Sequence, residues 1–186
     1  MRIITGSRKG MKLKTLGGED VTRPTAERVK EALFSMINFD LEGARVLDLF
    51  GGSGQLALEA LSRGASYALI ADADKDAIGV IRENVAKTRF EDRTKVVSSD
   101  YKRLIDTMRT GEGGRFDIVF LDPPYASGFI PDALRRLVAA DLLSDRALIV
   151  CETDSDKPVT YDGFAQKRFA RYGRVYITLL EKEASL

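Results

Sequence analysis

Residues 44–54 read ARVLDLFGGSG, and this stretch decides how the rest of the chain is interpreted. Its first seven residues are mostly apolar, which is typical of a short buried strand. Gly51, Gly52 and Gly54 then break the pattern, because glycine permits a tight turn and lets a ligand approach the backbone closely. The following residues, QLALEALSRG, have helical spacing and end at Gly64, a residue type favoured just after a helix. A strand, a glycine loop and a helix are therefore predicted in succession.

The same alternation continues along the chain. The helices are predicted at KDAIGVIRENVAKTR, YKRLIDTMRT and PDALRRLVAADLL, and the further strands at SYALIAD, KVVSSD, FDIVFLD and ALIVCE. Apolar strands that alternate with helices indicate a parallel sheet covered on both faces. The final segments, KRFARYG and RVYITLLEK, predict an antiparallel hairpin.

The segment before the sheet has a different pattern. RIITG and MKLKTLG are short alternating stretches that predict a β-hairpin. A helix is predicted next, in TRPTAERVKEALFSMINF, because Pro24 suits a first helical turn and the apolar residues follow helical spacing. We expect one domain over residues 1–186, with a basic hairpin and helix extension at 1–40 and a catalytic core at 41–186.

Composition excludes several kinds of protein. The 186 residues, 44% hydrophobic and 31% charged, are typical of a soluble domain, and no apolar run is long enough to cross a bilayer. No signal peptide is recognisable, so a cytoplasmic location is expected. The single cysteine, Cys151, excludes an internal disulfide. The absence of histidine excludes a histidine base, and no metal site is expected.

Charge is distributed unevenly along the chain. The whole protein carries a net charge of +1, but residues 1–30 contain eight Lys or Arg against three acids. A basic end on a nearly neutral body indicates a polyanionic partner, although a solvated arm without a partner explains the charge equally well. The candidate nucleic-acid-binding residues are Arg2, Arg8, Lys9, Lys12, Lys14, Arg23 and Arg28.

Ligands of parallel α/β sheets bind beyond the carboxyl ends of the strands, and acids are predicted to lie there. Asp72 closes the second strand, 20 residues after Gly52, where a carboxylate can accept both hydroxyls of a ribose. Asp74 is better explained as the N-cap of the next helix. Asp100 closes the third strand and either accepts a hydrogen bond from an adenine amine or is simply solvated.

Asp48 distinguishes this loop from a dinucleotide site. It lies three residues before the first glycine, where its charge would repel a pyrophosphate but suit an amino group. A nucleoside that carries an amino acid satisfies both Asp48 and Asp72. S-adenosylmethionine is such a molecule, and it is the cofactor that the sequence predicts.

Residues 122–125, DPPY, end the fourth strand with a carboxylate, a rigid turn and an aromatic ring. An exocyclic amine of a base is a poor nucleophile, and two acceptors on its N–H groups would orient its lone pair. Asp122 and the carbonyl of Pro123 can supply them, because Pro123 and Pro124 restrict the backbone. Tyr125 offers a stacking surface for a flipped base. A turn that contains these residues by chance is the alternative.

These motifs carry a resemblance to a known family. VLDLFGGSG followed by FLDPPY resembles S-adenosylmethionine-dependent amino-methyltransferases. RIITGSRKG and TRPTAERVKEALFSMI resemble the RsmD-like family, the bacterial 16S ribosomal RNA guanine-N2 methyltransferases, and the resemblance spans nearly the whole chain. It implies an α/β, Rossmann-like class I methyltransferase with a seven-stranded sheet and an antiparallel last strand.

The resemblance also implies roles for particular residues. DPPY would be catalytic, Arg23 and Thr25 would face the cofactor or the target base, and the cofactor would be bound by Asp48, Gly51, Gly52, Gly54, Asp72 and Asp100. Gly51 stands where the family leads us to expect alanine, which would make the loop more flexible. Asp72 stands where we expect glutamate, which shortens the reach to the ribose.

The implied substrate is 16S ribosomal RNA, within the assembled or assembling 30S subunit, and a monomer without membrane association is expected. A DNA adenine-N6 methyltransferase is the enzyme alternative, since DPPY serves that reaction too, but only about 25 residues lie outside the core fold to read a duplex. A non-catalytic RNA-binding assembly factor with the same fold is the other alternative.

Overall fold

A seven-stranded sheet forms the centre of the molecule. The computed structural model describes residues 1–17, 24–108, 114–124 and 128–184. The sheet order is β3-β2-β1-β4-β5-β7-β6, the first five strands are parallel, and β7 is antiparallel to both β5 and β6. The predicted fold class is confirmed. The strands are β1 (Arg45–Asp48), β2 (Tyr67–Asp72), β3 (Thr94–Ser98), β4 (Phe116–Leu121), β5 (Leu143–Thr153), β6 (Phe164–Tyr172) and β7 (Val175–Lys182).

Helices cover both faces of the sheet. They are α1 (Pro24–Met36), α2 (Gln55–Ser62), α3 (Lys75–Thr88), α4 (Tyr101–Thr107) and α5 (Phe129–Ala139). The apolar side chains of α1, α2 and α3 pack on one face, and those of α4 and α5 pack on the other. Both faces of each central strand are therefore buried, which explains why the strands are apolar throughout rather than alternating. None of the described helices is long and apolar enough to cross a membrane.

One predicted boundary was wrong. The helix predicted to extend to Leu143 ends at Ala139, and β5 begins four residues before the predicted Ala147. Asp141 adopts a left-handed backbone conformation with φ of 51°, so the helix cannot continue through it. Leu143 then pairs with Phe116 at the start of β4. Its side chain is buried in the core as part of β5 and not as part of a longer helix.

The predicted N-terminal hairpin is present as one bridge with three backbone hydrogen bonds across it. Arg2 and Lys12 form an isolated antiparallel bridge, and neither segment is a strand. We call residues 1–14 the N-terminal arm. Its backbone N–H groups at Ile4 and Thr5 donate instead to the carboxylate of Glu59 in α2, at 2.7 and 3.0 Å. The two segments remain joined by the N–H groups of Ile3, Gly10 and Leu13, which donate to the carbonyls of Met11, Ile3 and Met1 at 2.9, 2.8 and 2.9 Å.

The arm is fixed to the end of α2 by its turn. The N–H of Ser7 donates to the carbonyl of Ser62 at 2.7 Å, and the Ser62 hydroxyl donates to the carbonyl of Thr5 at 2.6 Å. A Cβ on Gly6 would lie 1.8 Å from the Ser62 carbonyl oxygen, so the turn requires glycine. The arm is therefore a docked part of the domain and not a free tail.

Candidate active site at the carboxyl edge of the sheet

Four acids lie at the ends of four adjacent strands. Asp48 is level with Ile70 of β2 and Phe120 of β4, and Phe120 is level with Val150 of β5. These side chains face α1, α2 and α3. Because side chains alternate along a strand, residues two positions further on share that face. Asp72, Asp122 and Glu152 occupy those positions, so they form a row above Asp48.

A cavity of about 510 Å³ opens at this edge. Its size falls within the range of ligand pockets in proteins. It brings together four residues that the sequence predicted as functional, namely Gly52, Asp72, Asp100 and Asp122, with both prolines of the DPPY motif. It is also lined by Leu49, Phe50, Ala73, Tyr101, Phe129 and Glu152.

Asp72 shapes the glycine loop. One of its carboxylate oxygens accepts the N–H of Gly52 at 2.8 Å, and the other accepts the N–H of Asp74 at 2.9 Å. A carboxylate oxygen has more than one lone pair, so both oxygens retain capacity for a ligand hydroxyl. Asp74 itself accepts the N–H of Asp76 at 2.8 Å and caps α3, as predicted.

The glycines of the loop have different functions. Gly52 and Gly54 have positive φ angles of 55° and 75°, and a Cβ on Gly52 would extend into open space. Gly51 does not need a positive φ, but a Cβ there would lie 2.5 Å from Cγ2 of Ile70. Gly51 therefore packs tightly against β2, and the expectation that it makes the loop more flexible stays a prediction.

Aromatic side chains form one wall of the cavity. The ring centroids of Phe50 and Tyr101 are 5.4 Å apart, and Phe129 lies 6.2 Å from Phe50. Asp100 precedes Tyr101 and caps α4, since its Oδ1 accepts the N–H groups of Lys102 and Arg103. Sequence analysis did not identify this aromatic wall. The sequence could have predicted it, because Phe50 and Tyr101 each lie within two residues after an acid at a strand end.

Asp48, predicted to bind the cofactor's amino group, lies beneath the cavity. It is 1% exposed and does not line the cavity. Burial, together with repulsion from Asp122 and Asp72, raises the pKa of Asp48 to about 7. Its Oδ1 is buried without a hydrogen-bond partner among the described residues. An acceptor of this kind fits an amino group bound at the loop above it.

Asp122 and Glu152 form a pair of neighbouring acids. Burial raises the pKa of Asp122 to about 6, and burial together with the charge of Asp122 raises that of Glu152 to about 8. Two carboxylates that share a site resist double ionisation, so near neutral pH the pair holds about one proton. Glu152 was missed in the sequence, although ALIVCE ends in an acid as the other strands do.

Three further residues that the sequence predicted as functional lie outside the residues that the structure describes. Tyr125 and Arg23 fall outside the described residues, and the side chain of Thr25, in the first turn of α1, does too.

The cations of the arm are partly paired within the chain. The Arg2 guanidinium lies 3.3 Å from Glu27, and Lys14 lies 2.8 Å from Glu83. Arg8 donates to the carbonyl of Thr88 at 2.6 Å. For Lys9 and Lys12 of the arm and Arg28 of α1, the described part of the chain contains no ion-pair partner, and all three are exposed.

Beneath the arm lies a buried ion-pair cluster. The Glu59 carboxylate is fully buried, 3.2 Å from the Lys30 ammonium and 2.9 Å from the Arg63 guanidinium. Burial lowers the pKa of Lys30 despite this pairing. The sequence contained no signal for it, since Glu59 is an ordinary helix residue by pattern.

The fold and the acid-lined cavity define the class of the protein. A parallel sheet with an antiparallel β7, a glycine loop after β1, an acid at the end of β2 and DPP after β4 are the features of an S-adenosylmethionine-dependent methyltransferase. The cofactor fits the observed donors and acceptors, because its sulfonium and amino groups are cationic and the cavity is acidic.

Comparison with known proteins shows the family. The chain belongs to the family described as Conserved hypothetical protein 95, which it matches over residues 1–181. Bacillus subtilis YlbH is 35% identical over 98% of this chain and 99% of its own length. Ribosomal RNA small subunit methyltransferase D of Escherichia coli is 32% identical, covering 99% and 91% of the two chains. The resemblance to the RsmD-like family is confirmed.

A solved structure shows the same arrangement throughout. An Escherichia coli protein superposes with a TM-score of 0.86 at 33% identity, covering 100% of this chain and 99% of that chain.

Proposed function

We propose that this protein transfers a methyl group from S-adenosylmethionine to the exocyclic N2 amine of a guanine in 16S ribosomal RNA of the small subunit. The ribosomal RNA substrate is supported by the name of the Escherichia coli relative, a ribosomal RNA small subunit methyltransferase. The choice of an amine acceptor is supported by Asp122 followed by two prolines at the edge of the cofactor cavity.

The chain's own residues supply a place for each part of the cofactor. Asp72 would accept the ribose hydroxyls, and Oδ1 of Asp48 would meet the amino group from below the loop. Oδ2 of Asp100, which has no partner among the described residues, would accept the adenine amine, while Phe50 and Tyr101 would pack against the ring. Gly52 leaves open space for the cofactor where a side chain would intrude.

Asp122 and Pro123 would hold the acceptor amine. The Asp122 carboxylate accepts one N–H of the amine and the Pro123 carbonyl accepts the other, which directs the nitrogen lone pair towards the methyl group. The nitrogen forms a bond to the methyl carbon as the bond from that carbon to sulfur breaks. The methylated amine then loses a proton to Asp122 or to water, so no histidine is needed.

The observation that carries the proposal is the position of Asp122. Its carboxyl lies in the same cavity as Asp72 and has no ion-pair partner among the described residues. Burial raises the pKa of both Asp122 and Glu152, and because neighbouring carboxyl groups resist double ionisation, the pair keeps one ionised acceptor near neutral pH. An ionised acceptor strengthens the hydrogen bond to the amine.

Product identification tests the function. The protein is incubated with methyl-labelled S-adenosylmethionine and either naked 16S RNA, assembled 30S subunits or duplex DNA, and the product is digested to nucleosides. We expect N2-methylguanosine from 30S subunits. N6-methyladenosine from DNA, or no transfer to any substrate, would refute the proposal.

The partner in this proposal is RNA in its ribonucleoprotein context. We propose that a monomer acts on assembled or assembling 30S subunits, with Lys9, Lys12 and Arg28 of the exposed surface contacting phosphates. Transfer to naked 16S RNA at the same rate as to 30S subunits would remove the requirement for assembly.

A further inference from the structure

Glu152 lies at the boundary between two cavities. A second cavity, of about 520 Å³, adjoins the one described above, and Pro123, Pro124 and Glu152 line both. The other walls of the second cavity come from the first turn of α5 and from the segment that follows β5. The DPP turn therefore separates the proposed cofactor cavity from a second space of similar size.

Register places Glu152 beside Asp122. Leu121 and Cys151 are the last paired residues of β4 and β5, and Asp122 and Glu152 are the next residue on each strand. Neighbouring strands lie about 4.8 Å apart, so the two carboxyl groups project side by side from adjacent strand ends. The Glu152 side chain is one methylene longer and extends further over the second cavity.

The Glu152 carboxyl has no partner in the described part of the chain. Among residues 1–17, 24–108, 114–124 and 128–184, no side chain or backbone N–H donates to it and no cation pairs with it. The residue is nevertheless half-buried, and burial of a carboxyl group without a partner is unfavourable. Unpaired acids of this kind in a cavity are typical of functional sites.

The chemistry of guanine supplies a partner. The exocyclic amine at C2 adjoins the ring N1–H, so guanine presents a further donor next to the amine that is methylated. We infer that Glu152 accepts the N1–H of the target guanine while Asp122 and Pro123 hold the amine, and that this contact selects guanine. The inference rests on the proposed function, because it assigns a second contact on the same base.

The contact selects guanine through the ionised form of Glu152. Burial and the charge of Asp122 raise the pKa of Glu152 to about 8 in the empty cavity. A hydrogen bond from the N1–H favours the carboxylate over the acid, so it lowers this pKa when guanine binds. A carboxylate only accepts hydrogen bonds, so the acceptor at N1 of adenine would leave it without a donor.

A base analogue separates this contact from other functions of Glu152. The methylated guanosine is first mapped and then replaced by 2-aminopurine in 16S RNA that is assembled into 30S subunits. 2-Aminopurine keeps the C2 amine but has a bare N1 acceptor. Single-turnover transfer to both bases is measured for the wild type and for Glu152→Ala and Glu152→Gln, with Asp156→Asn, an exposed acid, as the matched control.

The expected pattern is a change in base preference. Glu152→Ala should slow transfer to guanosine about 10- to 100-fold, as loss of a hydrogen bond to a charged group does, and leave transfer to 2-aminopurine nearly unchanged. Glu152→Gln should improve transfer to 2-aminopurine, because its amide can donate to N1. S-adenosylmethionine affinity, measured by calorimetry, should be unaffected in both variants.

Two results would overturn the inference. An equal loss on guanosine and 2-aminopurine would show that Glu152 acts on the amine or on the fold. Unchanged guanosine transfer by Glu152→Ala would show that Glu152 does not touch the base. These outcomes differ from failure of the proposed function, in which the wild type itself forms no N2-methylguanosine on 30S subunits.

Discussion

At the carboxyl edge of the sheet, Asp122 and Glu152 face a cavity and form no ion pair with any described residue. In the N-terminal arm, by contrast, Arg2 and Lys14 are paired with acids of α1 and α3, and Arg8 is bonded to a carbonyl of α3. Beneath the arm, the buried Glu59 carboxylate pairs with Lys30 and Arg63 and accepts the N–H of Ile4.

The two regions show how differently charge can be used in one fold. Unpaired acids at the edge have raised pKa values, which is a cost to stability that a binding site can explain. The paired charges around Glu59 hold the arm in place. Whether a charged residue of this protein binds a ligand or stabilises the fold therefore depends on its partners and its burial, and sequence position alone does not show it.

The largest expected effect tests the paired region. Glu59→Ala leaves the buried ammonium of Lys30 without its partner and removes the acceptor of two arm N–H groups. We expect a loss of about 3–5 kcal/mol in the free energy of unfolding, measured in urea. Glu83→Ala, which removes the exposed partner of Lys14, should cost at most about 1 kcal/mol. Equal costs would mean that burial does not distinguish the two pairs.

The unpaired region is tested by Asp122→Asn. This change keeps the side-chain shape and one acceptor oxygen but removes the charge that is proposed to hold the amine. The single-turnover rate on 30S subunits should fall about 10²–10³-fold, as it does when one preorganised polar group is lost. Cofactor affinity should stay nearly constant in calorimetry, and a near-normal rate would show that the amine is held elsewhere.

The packing of the glycine loop gives a smaller effect. Gly51→Ala places a Cβ 2.5 Å from Ile70, so we expect a loss of about 1–3 kcal/mol in unfolding free energy. Gly79→Ala is the matched control, because Gly79 lies on the exposed face of α3 with nothing within 4 Å of a new Cβ. It should stabilise the protein by about 0.5–1 kcal/mol. A stabilising Gly51→Ala would refute the tight packing.

The exposed cations of the arm are expected to matter only for RNA. In a Lys9→Ala, Lys12→Ala double variant, the slope of log K against log salt for binding to 30S subunits should fall by about 0.7–0.9 per lost phosphate contact. Thermal stability should not change, since neither side chain has an ion-pair partner in the described chain. An unchanged slope would indicate a solvated surface.

The raised pKa values also imply a pH dependence of stability without ligand. The pKa values of Asp48, Asp122 and Glu152 are raised on folding, so the native state binds more protons than the unfolded state between about pH 4 and pH 8. Stability should therefore fall as pH rises through this range and level off above it. Melting temperatures of the wild type and Glu152→Gln would test this, because the variant should lose part of the decline near pH 8.

Sequence reasoning predicted the sheet and most of the edge. Asp48, Asp72, Asp100 and Asp122 were found because each follows an apolar run, and parallel strands bring such ends together. Glu152 follows the same rule and could have been found by it.

Other features depended on contacts that no local pattern records. The Gly51 packing depends on Ile70 in the neighbouring strand, and the arm depends on Glu59, which is 55 residues away from Ile4. The end of α5 is set by the left-handed conformation of Asp141. Aspartate is also found within helices, so the residue type alone did not predict this end. Long-range contacts of this kind are set by tertiary packing, which overrides local preference.

The docking of the arm has a consequence for the order in which the chain acquires structure during synthesis. Residues 1–14 are made before α2 and α3, but their acceptors are Glu59 and Ser62 of α2 and Asn84 of α3. At about 5–20 residues per second, Asn84 is made on the order of 4–14 s after Lys14. The arm therefore cannot dock before α2 has been made, and its hydrogen bond at Lys14 has to wait for Asn84.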